Sequence, residues 1–145
     1  MSDANKKVVL DYLQALADGR RADARAAIGD DCIYRPPPSM SHGEFHGPAE
    51  IFDLYFDVDR QLFDTGVDSY EWKIVSAVAE GEVVVVEISH KSRTITGKPY
   101  ATDYLVLYGV RDGQIRYIRE YFDSLYIKDI VADTQAKFPQ APHKG

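Results

Sequence analysis

A chain of 145 residues is long enough for one domain with a buried core and too short for two ordinary ones. Hydrophobic residues at 45% and charged residues at 28% exclude wholesale disorder, and 17 Lys and Arg against 23 Asp and Glu (net −6) provide no field to gather nucleic acid or anionic lipid. The single Cys32 cannot close an internal disulfide, the N-terminus holds no signal-peptide core, and no run nears the ~18 apolar residues of a membrane span. A cytoplasmic protein with neither nucleic-acid nor membrane partners is expected.

Residues 3–18 place Val9, Leu13 and Leu16 on one stripe with Val8, Tyr12 and Ala15 beside it, which predicts an amphipathic helix stopped by Gly19. A second helix, about 21–28, is Ala-rich and ends at Gly29. Asp30-Asp31 then turns into a strand at Cys32–Arg35, closed by three prolines. The loop 36–47 carries His42 and His46, and Pro48 opens a third helix with Ile51, Tyr55 and Val58 facing inward.

From about residue 67 the period changes to two. Tyr70, Trp72, Ile74 and Ser76 share one face of a strand, and Glu80-Gly81 supplies a two-residue turn. In the next strand Val84, Val86, Ile88 and His90 share a face, so His90 continues an apolar row. Gly97-Lys98-Pro99 turns into a strand over 100–110, apolar on both sides, and Arg111-Asp112-Gly113 turns into the last strand, 114–123. A closing helix over 124–136 completes one domain at 1–136, and residues 137–145 are expected to fray. The order predicts an α+β fold, with a curved, mostly antiparallel sheet wrapped around three N-terminal helices and a cone between them suited to a small molecule. The outer sheet face mixes apolar and charged residues, and a homodimer through it is the expected cover.

Four segments carry a resemblance: Tyr12-Leu13-Gln14-Ala15-Leu16-Ala17-Asp18-Gly19, Asp30-Asp31 before a strand, His46-Gly47-Pro48-Ala49-Glu50-Ile51, and Asp112-Gly113-Gln114-Ile115 followed by Arg119-Glu120-Tyr121-Phe122-Asp123. They resemble the nuclear transport factor two-like superfamily, nearest to its SnoaL-like and ketosteroid isomerase-like branch and to limonene-1,2-epoxide hydrolase. The resemblance implies a cone-shaped, cystatin-like α+β barrel hosting isomerases, cyclases, dehydratases, epoxide hydrolases or non-catalytic binders. It sets Glu120 on the water-activating aspartate of the epoxide hydrolases and Tyr34 on their water-binding tyrosine. Pro36 replaces their adjoining asparagine, and Ile88 and His90 replace their Arg and Asp. Tyr12 matches the oxyanion-binding tyrosine of ketosteroid isomerases, and Val106 stands near that site's second acid. SnoaL-like cyclases imply a role for Asp123, although strand parity sets it opposite Glu120.

Glu120 lies between Ile118 and Phe122, where desolvation raises a carboxyl's pKa, and it is the expected acid/base with His90 as its partner. Tyr12 and Tyr34 are then donors to a developing oxyanion. Tyr104, Tyr108, Ile88, Val106, Trp72, Phe122 and Asp123 are the expected substrate contacts. A plainer reading stands beside each: Glu120 paired with Arg116 or Lys91, His90 a hydrogen-bonded core residue, the tyrosines packed rings. His42 and His46 flank Glu44 in a Gly/Pro loop and do not form HExxH, so no metal is expected, and no nucleotide-binding or serine-nucleophile motif occurs. The leading expectation is cofactor-independent isomerisation, elimination or cyclisation of a largely apolar, oxygenated small molecule. A non-catalytic binding or dimerisation module and water addition to an epoxide are the alternatives.

Overall fold

The switch from a 3.6-residue to a two-residue period becomes, in the computed structural model, a set of helices laid across one face of a curved six-stranded sheet; the structure describes residues 2–64 and 71–144. Helix α1 (Ser2–Ala17) buries Val9, Tyr12, Leu13 and Ala15. It stops where Gly19, at φ +74°, lets the Gly19 and Arg20 N–H groups bond back to the Leu16 and Ala15 carbonyls at 3.2 and 2.8 Å. Helix α2 (Arg21–Ala26) leads into β1 (Ile28–Arg35), which starts four residues before the expected strand. Asp30-Asp31 is therefore inside a strand. Ile28 already pairs with Ile115, and a register shift between Ile28 and Ile33 absorbs the irregularity that reads locally as a turn.

After β2 (Phe45–His46), the expected third helix is a composite. It comprises α3 (Gly47–Ala49), a π-helical turn (Glu50–Tyr55), a 3₁₀ turn (Phe56–Val58) and α4 (Asp59–Leu62). Ile51, Phe52, Tyr55, Val58 and Leu62 all point inward, keeping the one apolar face that the spacing of Ile51, Tyr55 and Val58 predicts.

Strands β3 (Glu71–Glu80), β4 (Val83–Arg93), β5 (Pro99–Arg111) and β6 (Gln114–Phe122) form an antiparallel meander, and β1 joins β6 in parallel. The order is β2-β1-β6-β5-β4-β3, so the sheet stays open, with edges at β2 and β3. Tyr70 and the rest of the expected strand start at 67–70 lie outside the described residues. The β3–β4 turn is Gly81-Glu82, one residue later than expected, because Glu80 is already paired with Val83 and Gly81 takes the left-handed conformation at φ +59°.

The even-numbered residues of β4 face the helices as expected: Val84, Val86, Ile88, His90 and Ser92 are buried. Helix α5 ends at Ile130, not 136, and a 3₁₀ turn (Ala132–Thr134) follows. The tail expected to fray is docked through residue 143. Glu44 and His143 exchange backbone hydrogen bonds of 2.6 and 3.2 Å, His143 stacks on His46 with centroids 3.7 Å apart, and Phe138 packs on the Met40–Leu62–Tyr100 cluster. No helix among the described residues is long and apolar enough to cross a membrane.

Candidate active site

Between the helices and the inner sheet face lies a cavity of about 1080 Å³. Its floor follows from strand register. Val84 faces Tyr108, which faces Ile118, which faces Tyr34; one row on, Val86, Val106 and Glu120 align; then Ile88, Tyr104 and Phe122. Period-two alternation thus sends Tyr34, Ile88, Tyr104, Val106, Tyr108, Glu120 and Phe122 into one space. Tyr12 reaches it from α1, its ring edge-on to Tyr108 at 6.1 Å, and Trp72 and His90 close one end. Ten of the eleven residues singled out in the sequence line this cavity.

Asp123 is the exception. It is exposed and accepts the Tyr126 N–H at 3.0 Å, capping α5, because β6 ends at Phe122 and the next residue must satisfy a helix terminus.

Glu120 and His90 do not form the expected pair. Register sets them two strands and four residues apart, about 16 Å between backbones. The partner of Glu120 is Tyr55, whose hydroxyl donates to Oε1 at 2.8 Å, and the Tyr34 hydroxyl lies near enough to favour the ionised carboxylate as well. Burial pushes the Glu120 carboxyl up to about 7; the Tyr55 and Tyr34 hydroxyls oppose that rise, and the neighbouring charge of Asp59 adds to it. Burial also lifts the phenols of Tyr12, Tyr34 and Tyr55 well above their ordinary range, so each remains a donor. The ion pairs considered for Glu120 are absent: Arg116 is taken by Asp31 at 2.8 Å, on the other face.

His90 stands in a ring cage, edge-on to Phe63 and Tyr100 at 5.2 and 5.3 Å and tilted against Tyr104 at 5.9 Å. Desolvation pulls its imidazole down to about 4, so it is neutral at physiological pH. The Tyr100 and Tyr104 hydroxyls meet at 2.8 Å beside it.

Two site residues escaped the sequence reading. Tyr55 is legible there as an inward-facing position, but nothing local pairs it with a carboxylate 65 residues away. Asp59, four residues on, also lines the cavity; much of its surface is open, yet the enclosing walls push its carboxyl up to about 6. In the sequence it is one of several acids in an acidic stretch.

His42 is exposed and off the cavity, and His46 bonds Glu44 at 3.1 Å. Among the described residues, no group of three or more His, Cys, Asp and Glu is arranged to hold a metal ion. The arrangement can move a proton at Glu120 and stabilise a nearby oxyanion through phenol donors.

Comparison with known proteins agrees with this architecture. The profile of the SnoaL-like domain family matches residues 9–118. The uncharacterized protein YesE of Bacillus subtilis (strain 168) is 29% identical over 103 residues, spanning 69% of this chain and 68% of that one. An NTF2-like protein of unknown function from Burkholderia pseudomallei K96243 superposes with a TM-score of 0.78 at 17% identity, covering 90% of this chain and 98% of that one. A putative SnoaL-like polyketide cyclase from Jannaschia sp. CCS1 gives a TM-score of 0.75 at 17% identity, covering 91% of this chain and 94% of that one. At these identities the structures establish the NTF2-like fold.

Proposed function

The chain belongs to the SnoaL-like domain family, in which polyketide cyclases, isomerases and epoxide hydrolases occur, and on that premise we propose that it is a cofactor-independent acid/base enzyme acting on a largely apolar, oxygenated small molecule. The observation that carries this reading is one carboxyl: Glu120, raised to about 7 by burial, held by Tyr55 at 2.8 Å, and open to an apolar cavity of about 1080 Å³. A group that is half protonated near neutrality both takes and returns a proton efficiently. In this mechanism Glu120 removes a proton α to a carbonyl. Negative charge develops on the carbonyl oxygen, where Tyr12 or Tyr34 donates to it, each such bond worth a few kcal/mol when preorganised. The apolar walls exclude bulk water and strengthen those bonds.

The test is a panel of β,γ-unsaturated and β-hydroxy ketones followed by NMR, with Glu120→Gln alongside. Turnover by the wild type that falls by about 10²- to 10⁴-fold in the variant, with fold retained, is the expected result. Equal turnover by the two proteins would remove Glu120 from the chemistry, and turnover by neither would leave a binding module.

For assembly we propose a homodimer through the outer sheet face, where Ile33, Leu105 and Tyr121 are 36%, 49% and 56% exposed. Leu105 and Tyr121 are cross-strand neighbours on that face, so Leu105→Arg should convert the dimer to monomer in sedimentation analysis. A reducing, cytoplasmic setting suits the lone Cys32, fully buried and with its thiol pushed up to about 12 by desolvation.

A further inference from the structure

Resting on the acid/base reading of Glu120, we propose that Asp59 is a second proton-transferring group on the opposite wall of the cavity, and that the pair makes the site an eliminating one whose substrate class is β-hydroxy carbonyl compounds. The geometry has three parts. Glu120 projects from β6 on the sheet wall, and Asp59 begins α4 on the helical wall; both line the same space. Tyr55, whose hydroxyl holds Glu120, precedes Asp59 by four residues, about one helical turn, so the second carboxyl is offset along the cavity and leaves room for a substrate between the two. Asp59 lines the cavity and is exposed, while its neighbours Arg60 and Asp57 pair with each other at 2.7 Å.

Charge interaction joins the two acids: Asp59 raises Glu120, and both acids raise the phenols of Tyr55 and Tyr104, which line the same space. Two carboxylates across one apolar cavity do not both ionise readily. The Tyr55 and Tyr34 hydroxyls favour ionised Glu120, whereas burial alone acts on Asp59. Glu120, set among the phenol donors that meet the oxyanion, is the base, and Asp59, on the helical wall away from the sheet floor and the stronger acid of the two, is the proton donor.

Isomerisation needs one group that takes and returns a proton on the same face. A second acid on the far wall serves a bond that breaks there. Glu120 takes the α-proton, the C–H electron pair becomes the C=C bond, the β C–O bond breaks, and its electron pair takes the proton from Asp59 to release water. The proton then returns from Glu120 to Asp59 through solvent in the cavity.

Two probes separate this inference from the reading beneath it: 4-hydroxy-4-phenylbutan-2-one, whose dehydration to benzylideneacetone is followed by ultraviolet absorbance, and cyclohex-3-en-1-one, whose isomerisation to the conjugated enone is followed likewise. The wild type should act on both, and Glu120→Gln should lose both. Asp59→Asn should slow dehydration by about 100-fold or more while isomerisation changes less than about threefold, and Asp59→Glu should recover part of the loss. Equal effects of Asp59→Asn on both reactions, no effect on either, or a wild type that isomerises without dehydrating overturns the role of Asp59 and spares that of Glu120. Wild-type inactivity on both probes, or full activity of Glu120→Gln, overturns both. Thermal melts of the variants exclude misfolding as the cause of a loss.

Discussion

The two ends of the cavity are made from the same material, tyrosines and aliphatic residues on alternating strand positions, yet they treat a buried titratable group in opposite ways. At the Glu120 end, desolvation raises a carboxyl to about 7 against the opposing pull of hydroxyl donors. At the His90 end, desolvation lowers an imidazole to about 4 within a cage of rings. Burial disfavours charge whatever its sign, so it moves an acid's pKa towards 7 and a histidine's away from it. Only the acid end is left with a group that changes protonation near pH 7.

The largest expected effect follows from that contrast: Glu120→Gln should lower turnover by about 10²- to 10⁴-fold, measured on any ketone the wild type converts. Next is a divergence in stability with pH, read by urea unfolding of each variant against the wild type. Folded Glu120 binds its proton more tightly than the unfolded chain does, so its contribution is present below about pH 4.5 and is lost as pH rises through 7. Glu120→Gln should therefore gain on the wild type across that window, by about 3 kcal/mol at its upper end.

His90 carries the reverse sign. Its contribution is present above pH 6.5 and lost as pH falls through 4, so His90→Gln should gain on the wild type towards acid by about 3 kcal/mol, superimposed on a constant packing loss. If both variants drift the same way with pH, the contrast between the two ends fails.

A smaller effect sharpens the acid end. Tyr55→Phe removes the hydroxyl that favours ionised Glu120, so the ¹³C carboxyl titration of Glu120 should shift to higher pH, with about 1 kcal/mol of stability lost. The smallest is at the ring-caged end, where His90→Gln should change turnover by less than about tenfold, because a neutral imidazole about 16 Å along the floor from Glu120 does not share its proton.

Much of this site was legible in one dimension. The period-two pattern of β4 sets Ile88 and His90 on the inner face, and the spacing of Ile118, Glu120 and Phe122 does the same on β6, because a one-residue slip would expose the apolar set. Tyr12 follows from the stripe of α1. The pairing of Glu120 with His90 was not legible, since alternation assigns a face but not a position along the strand relative to another strand. Asp123 shows the limit at an element's end, where a carboxylate that reads as strand serves as a helix cap.

The sequence by itself determined which residues alternate inward, the order of helices and strands, and the presence of a carboxyl among apolar neighbours, since these depend on contacts between residues close in the chain. Tertiary structure decided the partners. The π-helical turn that aims Tyr55 at Glu120, the placement of Asp59 across the cavity and the docking of His143 on His46 join segments tens of residues apart. Register between strands and packing of helices on the sheet fix such distances, and these are cooperative properties of the whole chain that no local pattern encodes.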